Sequence, residues 1–172
     1  MRTAIRTRRV PLSAGGFTLV EVLFATLVLA LTVAGVTQLI VSGQAQTYNA
    51  LHEERALSLA EALMDEVLSL PYTDPGGDTT PGPDDGEDTR ERLDAIDDYD
   101  GFFEPAGTLT DPSGELYPEL HQVFERGVTA AYSVVDVPDF GGTRNVIDVT
   151  VTVSEPEGRS WTISRSIAEP VS

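Results

Sequence analysis

The chain's 172 residues suffice for one modest soluble domain once a membrane segment is set aside, and the absence of cysteine excludes disulfides and thiolate metal sites. The formal net charge is −17 at pH 7, every basic residue is an arginine, and the missing lysine rules out a Walker-A phosphate loop. Arg2, Arg6, Arg8 and Arg9 lie in the acid-free first 16 residues, so the remainder sets seven arginines against all 28 carboxylates and repels phosphate backbones. Nucleic acid is therefore not an expected partner.

In chain order, the first informative element is the uncharged run Val22–Val41, VLFATLVLALTVAGVTQLIV. At about 1.5 Å rise per residue, a helix of that length spans roughly 30 Å, one hydrocarbon thickness. The arginines before it should stay cytoplasmic, which places the bulk of the chain across the inner membrane. A secretory signal carries its small-residue cleavage site after the apolar run. Here the small residues Ser13-Ala14-Gly15-Gly16 come before it and lead into Phe17-Thr18-Leu19-Val20-Glu21.

That order resembles the class III signal of type IV pilins and type II secretion pseudopilins: a basic leader, Gly16, an aromatic Phe17, Glu21 as fifth mature residue, then the apolar helix. The resemblance implies cleavage between Gly16 and Phe17 by a prepilin peptidase, N-methylation of Phe17, and retention of the helix. Its implied partners are that peptidase, other pilin or pseudopilin subunits, and an inner-membrane assembly platform. Independently of any family, a carboxylate at the edge of a lipid-embedded helix costs several kcal/mol unless paired, which marks Glu21 as functional. The expected partner is the new α-amine of Phe17 on a neighbouring subunit; a site near the headgroups, favoured by the helix dipole, is the plainer reading. The twenty-second mature position, proline in many major pilins, is Gln38, which points away from a major subunit.

Past the membrane segment, Ala56, Leu57, Ala60, Leu63, Met64, Val67 and Leu68 recur at helical spacing, opposite Glu53, Glu54, Arg55, Glu61, Asp65 and Glu66. One helix is predicted from about Phe17 to Leu70, roughly 80 Å long, ending before Pro71. Residues 71–122 then read as an irregular acidic loop; Asp74–Asp100 alone holds 11 acids and two arginines. Asp-rich loops supply the oxygens that Ca²⁺ needs, so Asp97, Asp98 and Asp100 are candidate ligands, although the spacing is not that of an EF-hand. A solvated acidic loop is the simpler expectation. The segment Leu93-Asp94-Ala95-Ile96-Asp97-Asp98-Tyr99-Asp100-Gly101-Phe102 also resembles an aspartate-rich stretch in minor pilins of the mannose-sensitive haemagglutinin pilus system.

Val128–Val137, Val146–Val153 and Trp161–Ile167 alternate as half-buried strands, with a turn at Glu155-Pro156-Glu157-Gly158. The fold class expected is therefore α+β and pilin-like: a long N-terminal helix packed on a small antiparallel sheet. The parts are a leader over 1–16, a membrane and assembly helix over 17–43, and a periplasmic head over 44–172 whose meander covers about 128–168. Trp161 is expected to anchor the core.

No catalytic pattern is complete. His52-Glu53-Glu54-Arg55-Ala56 begins like a zincin helix but has Ala56 where the second histidine belongs. An enzyme is not expected. The residues point to a structural subunit, single-pass in the bacterial inner membrane and then part of a type IV pilus; a type II secretion pseudopilin and a Ca²⁺-dependent adhesive tip module are the alternatives.

Overall fold

The computed structural model describes residues 16–138, 142–156 and 158–170. Of the leader expected over 1–16, residues 1–15 lie outside that set. The chain divides into two compact units between Thr47 and Tyr48.

Helix α1, Leu19–Leu68, is continuous through both Gly35 and Gly43. It is the one helix among the described residues long and apolar enough to cross a membrane. In the first unit every described side chain is exposed. The threonines that interrupt the apolar run satisfy their own hydroxyls. Thr26 donates to the Leu23 carbonyl at 2.9 Å, and Thr32 and Thr37 donate to Val28 and Val33 at 2.8 Å. Such back-bonding leaves no free hydroxyl to penalise an apolar environment.

The second unit is an α+β domain. Its sheet has four strands, β1 (Phe103–Glu104), β2 (Glu125–Val137), β3 (Gly142–Ser154) and β4 (Ser160–Ala168), all antiparallel and in chain order. Three of these were expected. β1 was not, because two residues carry no alternation to read. It forms because Gly127 lies opposite Phe103, where an added Cβ would stand 3.2 Å from the Phe102 carbonyl oxygen. Only glycine allows that approach without a shift.

One face of the sheet and one face of α1 share a core. Ala56, Leu59, Ala60, Leu63, Met64 and Val67 from the helix meet Val128, Ala130, Ile147, Val149, Val151 and Val153 from the strands. Trp161 is half-buried and packs against this core, its ring 5.9 Å from Phe124 in an edge-on arrangement. The helical stripe differs slightly from expectation. Leu57 is half-buried and Leu68 exposed, while Leu59 and His52 take the inner face. The buried set 52, 56, 59, 60, 63, 64, 67 covers an arc as wide as the expected set, about 140°, but turned by about 40° around the helix. His52 is admitted because its Nε2 meets Glu155 of the β3–β4 turn and its ring stacks 5.5 Å from Tyr48.

Truncation of Leu63, fully buried at the helix–sheet junction, removes methyl groups that neighbours cannot replace. Leu63→Ala should cost about 2–5 kcal/mol, seen as a lower denaturant midpoint with an unchanged slope.

Candidate functional site

Gly16, Phe17 and Thr18 precede the first turn of α1, and Phe17 is 80% exposed. The bond between Gly16 and Phe17 thus lies in non-helical backbone, four residues before Glu21. Thr18 caps the helix: its Oγ1 accepts the Glu21 N–H at 3.2 Å, while its carbonyl accepts the Val22 N–H at 3.2 Å. Thr18-x-x-Glu21 is the residue pattern of a capping box, and this signal was legible in the sequence but not drawn from it. The cap sets Glu21 in the first turn, where the helix dipole favours a carboxylate.

The residues 71–122 are more ordered than their composition suggests. They contain single 3-10 turns at Arg90–Arg92, Asp97–Tyr99 and Glu119–His121 as well as β1. Two arginines organise them. Arg90 forms a fork onto both oxygens of Glu66, with Nε to Oε1 at 2.6 Å, and its Nη1 donates to Glu104 Oε1 at 3.1 Å and to the Thr110 carbonyl at 3.0 Å. Arg126, fully buried on β2, donates from Nε to Glu104 Oε2 and from Nη2 to the Thr110 carbonyl. Tyr99 donates its hydroxyl to Glu66 Oε1 at 2.8 Å. Burial pushes the Glu66 carboxyl up, but the bonds from Arg90 and Tyr99 and the arginine charges outweigh it and hold it below the usual carboxylate range. The helical wheel had put Glu66 on the solvent face; these partners are contributed by residues 24 and 33 positions away.

The three aspartates proposed as ligands point to different neighbours. Asp100 Oδ1 accepts the Ala130 N–H of β2 at 2.9 Å. Asp97 Oδ2 accepts the Tyr132 hydroxyl at 2.7 Å, and burial pushes this carboxyl up. Only Asp98 joins a carboxylate group, with Asp74, Glu87 and Asp94, whose oxygens lie within 4.8 Å of one another. Asp74 and Asp98 are buried. Asp98 Oδ2 accepts the Asp94 and Ala95 N–H groups at 2.9 and 2.7 Å, and Asp74 Oδ1 accepts the Asp78 N–H at 3.1 Å. Asp74 and Glu87 come from stretches that sequence spacing alone does not bring beside Asp98. Burial, then the charges of Asp74 and Asp98, push Asp94 up; burial and the charges of Asp98, Asp94 and Asp84 likewise raise Glu87 against a lowering bond from the Asp84 N–H. An oxygen-only set of this span suits a hard divalent cation, whose ligands stand about 2.3–2.6 Å from it.

No family model matches the chain, and no curated protein and no solved structure matches it either.

Two outcomes follow. Glu104→Ala leaves the Arg126 guanidinium buried without its carboxylate and should cost roughly 3–5 kcal/mol in equilibrium denaturation. For pH, the signs oppose. The depressed Glu66 stabilises the fold above its unfolded value, and that contribution is lost as pH falls through its folded one. The raised Asp94 carries a penalty, absent below its unfolded value, that grows as pH rises through its folded one. Asp94→Asn should therefore raise the melting temperature at pH 7 in chelator, with the gain gone below about pH 4.

Proposed function

We propose that the chain is a structural subunit of a type IV pilus-like filament, made as a membrane-held precursor and cut between Gly16 and Phe17. The observation that carries this is the character of α1 together with what precedes it. One 50-residue helix has a wholly exposed first part whose sole charge up to Thr47 is Glu21, and a second part that packs on a sheet. A first part of that kind needs lipid or neighbouring helices to cover it, and an assembly of like subunits supplies both in turn. The exposed, non-helical Gly16–Phe17 segment ahead of it leaves the bond accessible to a prepilin peptidase, and retention of the helix follows from cutting there. The arginine-rich leader orients the chain with its head in the periplasm.

In this reading Glu21 pairs with the methylated α-amine of Phe17 on the next subunit. A free amine exists only after cleavage, so processing switches assembly on. A pairing of this kind relieves the cost of a carboxylate at the membrane edge and fixes the axial register of stacked helices. Gln38, where many major pilins carry proline, supports a minor rather than a major subunit, and the aspartate-rich segment Leu93–Phe102 supports a pilus of the mannose-sensitive haemagglutinin type; a minor pseudopilin of a type II secretion system shares the N-terminal features.

A second reading, a Ca²⁺-dependent adhesive module at a filament tip, is favoured by the four carboxylates of Asp74, Glu87, Asp94 and Asp98 within 4.8 Å. Calorimetry of the full chain in micelles tests it: heat on Ca²⁺ addition and a raised melting temperature, both lost in Asp98→Asn, support the module, and an unchanged melting temperature ends it.

For the subunit role, mass spectrometry of the mature N-terminus should find methylated Phe17 as the first residue; an intact Met1 overturns processing. Glu21→Ala should leave membrane insertion and cleavage intact while sheared filaments lose the protein. Wild-type levels in those filaments would refute the pairing.

A further inference from the structure

Three arginines of the head sit in one kind of seat, an aromatic face combined with a carboxylate. Arg90 lies over Phe102 at 5.6 Å while paired with Glu66 and Glu104. Arg126 lies over Tyr117 at 5.4 Å and pairs with Glu104. Arg159 lies over Trp161 at 5.2 Å, with Glu155 at 3.7 Å. The recurrence has a physical cause. A guanidinium is planar and weakly hydrated, so its face stacks on a ring while its edge donates to carboxylate oxygens.

A fourth such seat exists without an arginine of its own. Tyr72 and Tyr132 meet edge-on, ring centroids 6.4 Å apart, in the wall of a cavity of about 350 Å³ that Asp78 and Glu169 also line. No basic residue lines it among the described residues. Glu169 is held in place by Asn145, whose Nδ2 donates to its Oε2 at 2.8 Å. Asp78 is held below the usual carboxylate range by hydrogen bonds from Thr80 and Thr79. Behind Tyr132 stands Asp97, buried, its second oxygen without a hydrogen-bond partner. Three carboxylates therefore lie in or behind the cavity wall, and burial together with the charges of Glu169 and Asp97 pushes the Tyr72 hydroxyl up. The volume is at the small end of ligand sites, the scale of a single side chain.

We propose that this cavity receives an arginine side chain from another polypeptide, seated between the tyrosine rings and the carboxylates of Asp78 and Glu169. The inference stands independently of the filament reading, since it requires only the head. Specificity for arginine over other cations comes from the ring face and the forked donors together, and the two carboxylates, exposed at the rim, draw the cation in.

The test is isothermal titration of the full chain in neutral detergent micelles with the capped peptide acetyl-Gly-Arg-Gly-amide. Saturable one-to-one binding is expected, absent with the isosteric citrulline peptide and weakened about tenfold or more by Glu169→Gln or Asp78→Asn. Both substitutions are at exposed positions, and an unchanged melting temperature verifies the fold. Glu119→Gln, which removes an equal charge outside the cavity, should leave the affinity unaltered. No binding, equal weakening by Glu119→Gln, or insensitivity to Glu169→Gln would each overturn the proposal. Tighter binding of free L-arginine than of the capped peptide would overturn its assignment to a polypeptide.

Discussion

The head depends on two guanidinium groups taken out of water. Arg126 is fully buried and Arg90 nearly so, and between them they bind Glu66 of α1, Glu104 of β1 and the carbonyl of Thr110. Desolvating such charges costs several kcal/mol each, and the cost is recovered only if every partner arrives in place. That condition makes the network selective. A loop packed in any other way would leave a buried arginine with an unmatched charge. A region of some fifty residues, poor in apolar side chains and rich in proline and glycine, is thereby held to one path across the helix and the sheet. The apolar core of α1 on β2 and β3 supplies most of the driving force. The arginine pair decides how the rest of the chain closes over that core.

The same economy explains where negative charge accumulates. With arginines few and two of them spent inside, most carboxylates of residues 71–100 have only backbone donors and one another. Backbone N–H groups satisfy some of them, as at Asp98 and Asp78. Others are driven upward by neighbours of like sign, as at Asp94 and Glu87. A domain built this way repels other acidic surfaces. Four carboxylates gather at Asp74, Glu87, Asp94 and Asp98, and two more, Asp78 and Glu169, line the cavity beside Tyr72 and Tyr132. The exposed apolar helix of the first unit makes the opposite demand, for cover by lipid or by other helices.

Several elements were legible from residue order because their signals are local. The uncharged run, the amphipathic turns after it and the alternation of β3 each depend on neighbours within about eight positions. Ile147, Val149, Val151 and Val153 are buried as that alternation requires. Where the reading erred, the deciding partner was distant in sequence. Glu66 looked solvent-facing because it is charged, yet three residues on from Leu63 it borders the apolar stripe, and Arg90 and Tyr99 cover it. His52, rightly set aside as an incomplete metal motif, has a place in the core that the sequence did not show, as a buried partner of Glu155 from the β3–β4 turn. Asp97 and Asp100 looked like companions of Asp98, but adjacent residues in a tight 3-10 turn point in different directions, and both reach β2.

Sequence alone determined the uncharged helix, the basic stretch before Gly16 and the placement of Phe17 and Glu21 ahead of an apolar segment, since these follow from composition read in order. It also determined that the head is α+β, because hydrophobic periods of 3.6 and 2 occur in separate stretches. Only the tertiary structure decided which carboxylates meet an arginine, which gather at Asp98, and which line a cavity with Tyr72 and Tyr132. The reason is that charge interactions depend on distance through space, and irregular backbone between Pro71 and Gln122 carries no period from which such distances can be read.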